Sequence, residues 1–147
     1  MILKNMLESK RMNQPSYAIK KIYSGTFENA VTAITQALKE QGFGVLTQIN
    51  VKETLKKKLE VDYPSYIILG VCNPPNAYKA LQAEKEIGLL LPCNVIIYEE
   101  NGTVSISVMK PTAALTLSKN ASIAKIAQEV ESKLTIALKK TITPKRS

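Results

Sequence analysis

The chain has 147 residues, 45% of them hydrophobic and 22% charged, with a net charge of +8. That length suits one domain with a buried core, and that composition excludes a chain disordered throughout. Histidine is absent, which removes imidazole metal ligands, the usual haem axial ligand and the base that most catalytic nucleophiles need.

The charge is unevenly placed. Residues 1–21 carry Lys4, Lys10, Arg11, Lys20 and Lys21 against Glu8, a net +4, and residues 131–147 carry Lys133, Lys139, Lys140, Lys145 and Arg146 against Glu131, again +4. The stretch between is neutral. A dedicated nucleic-acid domain has a basic face on its own elements, so nucleic acid is not an expected partner of the body. The basic ends leave open a weak, salt-sensitive contact with polyanions. The N-terminal stretch holds no apolar run of a secretory signal, and nothing approaches the length of a membrane span. Two cysteines without an export signal fit reduced thiols in a cytoplasm.

Residues 1–14 read as a basic tail, a frayed helix or disordered, and residues 15–147 as a single domain. Tyr17–Tyr23 alternates as a strand should, with Tyr17, Ile19 and Lys21 on one face. Thr26 is a good N-cap for an amphipathic helix whose Phe27, Ala30, Val31, Ile34, Ala37 and Leu38 share one side, and Gly42 stops it. Phe43–Ile49 predicts a second strand with Phe43, Val45 and Ile49 on one face. Asn50 and Glu53 resemble a capping box for a short helix from Val51 to Leu59, striped by Val51, Leu55 and Leu59. Lys56, Lys57 and Lys58 form its wet side.

Tyr66–Cys72 is apolar apart from Gly70, as in a strand covered on both faces, and Gly70 marks a bulge or a close backbone approach. Asn73 then caps a helix that starts with Pro74, a residue tolerated at the first helical position. That helix is expected to reach about Glu86, to stop at Gly88, and to offer Ala77, Ala80, Leu81, Ala83 and Ile87 to the sheet. Asn94–Glu99 and Thr103–Val108 form a hairpin about Asn101-Gly102. On the return strand Val104, Ile106 and Val108 share one face; the opposite face meets water, a ligand or another subunit. Residues 110–119 read as a loop anchored by Leu115 and Leu117, and a long helix from about Ser122 to Thr141 closes the chain. The fold class is therefore α+β: a two-layer sandwich with a mixed or antiparallel sheet of about five strands and helices mainly on one face.

The candidate site is the pair of corners around the central helix. Cys72 sits at a helix N-terminus, which lowers a thiol pKa, and Cys93 opens the following strand. A helix of about 13 residues is roughly 20 Å long, and the five-residue link after it spans about 17 Å when extended. Both juxtaposed cysteines and cysteines at opposite ends of the sheet remain open. The bland reading is two small buried hydrophobes. Zinc needs four ligands, so only a dimer pooling Cys72 and Cys93 from both copies supplies four sulfurs. Phosphate-cradling glycine motifs are absent, the acidic pairs Glu84/Glu86 and Glu99/Glu100 fall where solvated side chains are expected, and neither a catalytic residue nor a cofactor is assigned.

The segments Gly42–Leu46, Val51–Lys56, Ile68–Pro74 with Ala77, and Gly88–Val95 resemble, in order, a family catalogued as domain of unknown function 302, small and found in bacteria and archaea. The resemblance covers roughly residues 17–141. It implies an α+β domain that pairs as a homodimer, and it implies no chemistry. The expectation is therefore a non-catalytic homodimeric module holding a small-molecule ligand near Cys72, Asn73, Pro74, Cys93 and Asn94. Two alternatives stand beside it: a cysteine-dependent redox or metal-binding protein using Cys72 and Cys93, and a weak nucleic-acid accessory protein acting through the basic ends.

Overall fold

Capping chemistry sets the element boundaries. The computed structural model describes residues 14–141; the proposed tail, apart from Gln14, and residues 142–147 lie outside them. Strand β1 (Ala18–Tyr23) leads to helix α1 (Phe27–Glu40), whose first turn is closed by Thr26 Oγ1 accepting from the Asn29 amide at 3.1 Å. Its far end is a Schellman turn: the amides of Gly42 and Phe43 donate to the carbonyls of Lys39 and Leu38 at 3.0 and 2.9 Å. This turn needs the positive φ of 85° that Gly42 supplies. Phe43 is thereby folded back onto the core beside Leu38.

Strand β2 (Gly44–Asn50) runs straight into helix α2 (Val51–Leu59), where Asn50 Oδ1 accepts from the Glu53 amide at 3.1 Å. No residue of α2 is buried, so its expected apolar stripe rests on the surface. Strand β3 (Tyr66–Cys72) is followed by α3 (Pro74–Ala83), a 3-10 turn (Lys85–Leu90), strand β4 (Cys93–Glu100) and strand β5 (Thr103–Met109). Short α4 (Pro111–Ala114) and a 3-10 turn (Leu115–Leu117) precede the long α5 (Ala121–Lys140). The β4–β5 hairpin turns through positive φ at both Asn101 and Gly102, as the dipeptide predicts.

The five strands form one sheet in the order β1-β5-β4-β3-β2, each neighbouring pair antiparallel. The helix-facing side carries Ile67, Leu69 and Val71 of β3, Val95 and Ile97 of β4, and Val104, Ile106 and Val108 of β5, packed with Ala30, Ile34 and Leu38 of α1 and Leu134 and Leu138 of α5. Fully burying each valine, leucine or isoleucine among them stabilises by about 1.5–3 kcal/mol, before the entropy of ordering the chain is set against it. Within this layer the Tyr23 hydroxyl is buried without a hydrogen-bond partner.

The opposite side carries no α1 or α5. There the Tyr66 ring stacks on Tyr98 at 5.5 Å between centroids, Tyr63 lies 6.2 Å from Tyr66, and Lys20 Nζ sits 5.2 Å above the Tyr98 ring. Burial, with the phenols of Tyr63, Tyr98 and Tyr17 nearby, pushes the Tyr66 phenol above its ordinary value.

Four sequence expectations change. A bulge between Val45 and Thr47 inserts Leu46, so Val45 pairs with Val71 but Ile49 pairs with Ile68 on the other face; Phe43, Val45 and Ile49 do not share a side. Helix α3 stops at Ala83, because Glu84 turns extended at φ −155°, and Gly88 lies within the 3-10 turn. The α3 stripe packs on α5 and the 3-10 turns rather than flat on the sheet: Ala80, Ile87, Leu115, Ile123 and Ala127 make a second, smaller core. Residues 110–119 hold two helical turns instead of a loop, with Leu115 buried and Leu117 78% exposed, so only Leu115 is an anchor.

Candidate functional site: a cavity between the two cores

Where the two cores meet they leave a cavity of about 350 Å³. Its walls are Phe43, Val71, Cys72 and Cys93 at the end of the sheet, Leu91 and Pro92 at the corner before β4, and Leu115, Ile126 and Val130 from the last 3-10 turn and α5. Helix α3 contributes Asn76, Ala77, Ala80 and Leu81, the i, i+1, i+4 and i+5 positions of one helical face, with the capping Asn73 above them. Leu46 and Leu81 line the cavity and are also exposed, which places its mouth between the β2 bulge and α3. The bulge thus has a local consequence: it aims Leu46 at this opening.

The corner that holds the cavity is fixed by two side chains, those of Thr47 and Pro92, lying directly over the Gly70 backbone. A side chain at Gly70 would run into Thr47 Oγ1 and Pro92, so only glycine lets β2 and the Leu91-Pro92 corner close over β3. Asn73 binds the same corner from the other side. Its Oδ1 accepts from the Asn76 amide at 3.3 Å, and its Nδ2 donates to the Gln41 carbonyl at 3.5 Å, tying α3 to the turn after α1. The far end of α3 is held by Asn120 Nδ2, donating to the Ala83 carbonyl at 3.1 Å, and by the Ser118 hydroxyl, donating to Glu84 Oε1 at 3.1 Å.

Of the five residues singled out in the sequence, the cavity wall includes Cys72, Asn73 and Cys93 and leaves out Pro74 and Asn94. Pro74 is exposed at the start of α3, and Asn94 is exposed on the other face of β4. Register answers the question of the two cysteines. Val71 pairs with Cys93, so Cys72 is one residue from the position opposite Cys93, and both free thiols reach the same cavity.

Their electrostatics run against the thiolate expected at a helix N-terminus. Burial raises the Cys72 thiol, and burial together with the neighbouring Cys72 pushes Cys93 up to about 11. Desolvation outweighs the helix dipole here, so the cavity presents S–H groups at neutral pH. Among the described residues no group of three or more His, Cys, Asp or Glu is placed to hold a metal ion, and no helix is long and apolar enough to cross a membrane.

The basic ends are described only in part. Of the cations that are, Lys21 donates to the carbonyls of Leu138, Lys139 and Thr141 at 3.3, 3.2 and 2.5 Å, and Lys20 lies over the Tyr98 ring. Sequence reasoning missed Asn76, whose signal was there: it lies three residues after Asn73 and four before Ala80, a polar residue in the α3 stripe.

An antiparallel five-stranded sheet with helices on one face, and an apolar cavity at one end, define a small α+β module. The chain belongs to the DUF302 family, "Domain of unknown function DUF302", whose model matches residues 19–141. It is similar to an uncharacterized conserved protein of that family from Bacillus stearothermophilus, known from a crystal structure. The identity is 31%, over 86% of this chain and 99% of that one, with a TM-score of 0.81. No curated protein matches the chain.

Proposed function

We propose that this protein is a non-catalytic homodimeric module that binds one small, mostly apolar molecule in the cavity beside Cys72, Asn73 and Cys93, acting as one folded unit from residue 15 onward. The observation that carries the reading is the cavity itself: about 350 Å³, walled by aliphatic and aromatic side chains with two asparagines converging on it. Ligand sites of this kind are concave, mainly apolar, and carry a few placed polar groups. Two thiols held protonated by burial favour binding over thiolate chemistry.

NMR titration with isopentylbenzene tests it. The expected result is shifts confined to the backbone of 71–73, 76–81 and 93, abolished by Ala77→Phe, which fills the cavity. Shifts scattered over the surface, or unaffected by Ala77→Phe, count against the reading.

The support for pairing is the sheet face opposite α1 and α5, where Ile22, Ile49 and Tyr63 are exposed around the Tyr66–Tyr98 stack. A second copy laid on this face would cover those apolar groups. Sedimentation is expected to show a dimer that Tyr66→Glu converts to monomer; a wild-type monomer at high concentration rules the pairing out.

A further inference from the structure

Asn76 is 3% exposed, yet no described residue forms a hydrogen bond with its side-chain amide; its backbone amide donates to Asn73 Oδ1. Among the described residues the one sealed and unpartnered buried polar side-chain atom is the Tyr23 hydroxyl. The Asn76 amide is therefore unpaired but not sealed: it lines the cavity and opens into it. Its neighbour Asn73 is differently placed, with Oδ1 and Nδ2 both committed to backbone groups. Buried polar groups are almost always paired, so an amide left open to an apolar-walled cavity calls for a partner from whatever occupies that cavity.

Resting on the binding reading above, we infer that Asn76 is the polar anchor of the site and that the ligand is a neutral molecule carrying one amide-like head on an apolar body. The head is neutral because no lysine, arginine, aspartate or glutamate lines the cavity; an ionised group would be desolvated there with no counter-charge. It both donates and accepts because the asparagine side chain offers a carbonyl oxygen and an NH₂ side by side. The body is apolar because the remaining walls are aliphatic, aromatic or thiol. Its size follows from volume: an apolar cavity of roughly 150 Å³ holds benzene, so about 350 Å³ holds on the order of a dozen non-hydrogen atoms.

Three probes of matched shape test this on the full chain: 3-phenylpropionamide, 3-phenylpropionate and isopentylbenzene, the last being the hydrocarbon isostere of the amide. At neutral pH the carboxylate is expected to bind at least tenfold more weakly than the amide. Asn76→Leu is expected to shift the amide-to-hydrocarbon affinity ratio about tenfold towards the hydrocarbon. In wild type the Asn76 Nδ2 proton resonances should move downfield with the amide, a readout that does not require the variant to fold. A ratio unchanged by Asn76→Leu, an Asn76 side chain indifferent to the amide, or a carboxylate that binds as tightly overturns the anchor while leaving the cavity reading intact. If isopentylbenzene itself fails to bind wild type, the cavity reading falls with it.

Discussion

Burial decides what the two cysteines can do. A thiol at a helix N-terminus and a thiol in an apolar wall pull in opposite directions, and both of these sit nearer the second case. Cys93 has its folded-state pKa raised from 9.0 to about 11, so the folded protein favours the protonated thiol. The stability linked to this is fully present below pH 9 and is lost as pH rises towards 11. Between these limits wild type is expected to lose about 2 kcal/mol more than Cys93→Ala, because each unit is worth about 1.4 kcal/mol. Denaturant titrations across that range check it; parallel curves for the two proteins contradict it. Cys72, Asn73 and Cys93 could be singled out from sequence because turn and cap residues beside an apolar run are local signals. Asn76 also left a local signal, a polar residue in the α3 stripe, but its role did not follow from that signal. That its amide faces a cavity depends on Ile126 and Val130, about fifty residues further on, lining the same space, and that is a tertiary fact.

At the level of elements, the caps were legible and the irregularities were not. Thr26, Asn50 and Asn73 each accept from the amide three residues on, a contact a few residues of sequence can specify. The inserted Leu46 depends on how β2 pairs with β3, so alternation alone put Ile49 on the wrong face. Lys21 shows another non-local effect. It lies on the helix-facing side of edge strand β1, opposite Ile106, and its ammonium serves the last carbonyls of α5. No acidic side chain pairs with it among the described residues. A cation in a partly buried helix C-terminus is worth up to about 2 kcal/mol, so Lys21→Met is expected to lower stability by about 1–2 kcal/mol in chemical denaturation. A change within about 0.5 kcal/mol, typical of a plain surface substitution, would show that the contact contributes little.

The molecule as a whole is one large core and one small core that do not quite merge. The large core joins the sheet to α1 and α5; the small one joins α3 and the 3-10 turns to α5. The α+β class and the antiparallel sheet were readable because hydrophobic periods and the Asn101-Gly102 turn fix them locally. The gap between the cores was not, since it arises from α3 standing off the sheet instead of lying on it. A crystal of the protein under xenon pressure tests that gap most directly, because xenon enters dry apolar cavities and not polar, hydrated ones. Xenon density bounded by Val71, Ala80, Cys93 and Val130 is the predicted result. A crystal in which those side chains close on one another, or in which ordered water chains fill the space and exclude xenon, would contradict the account.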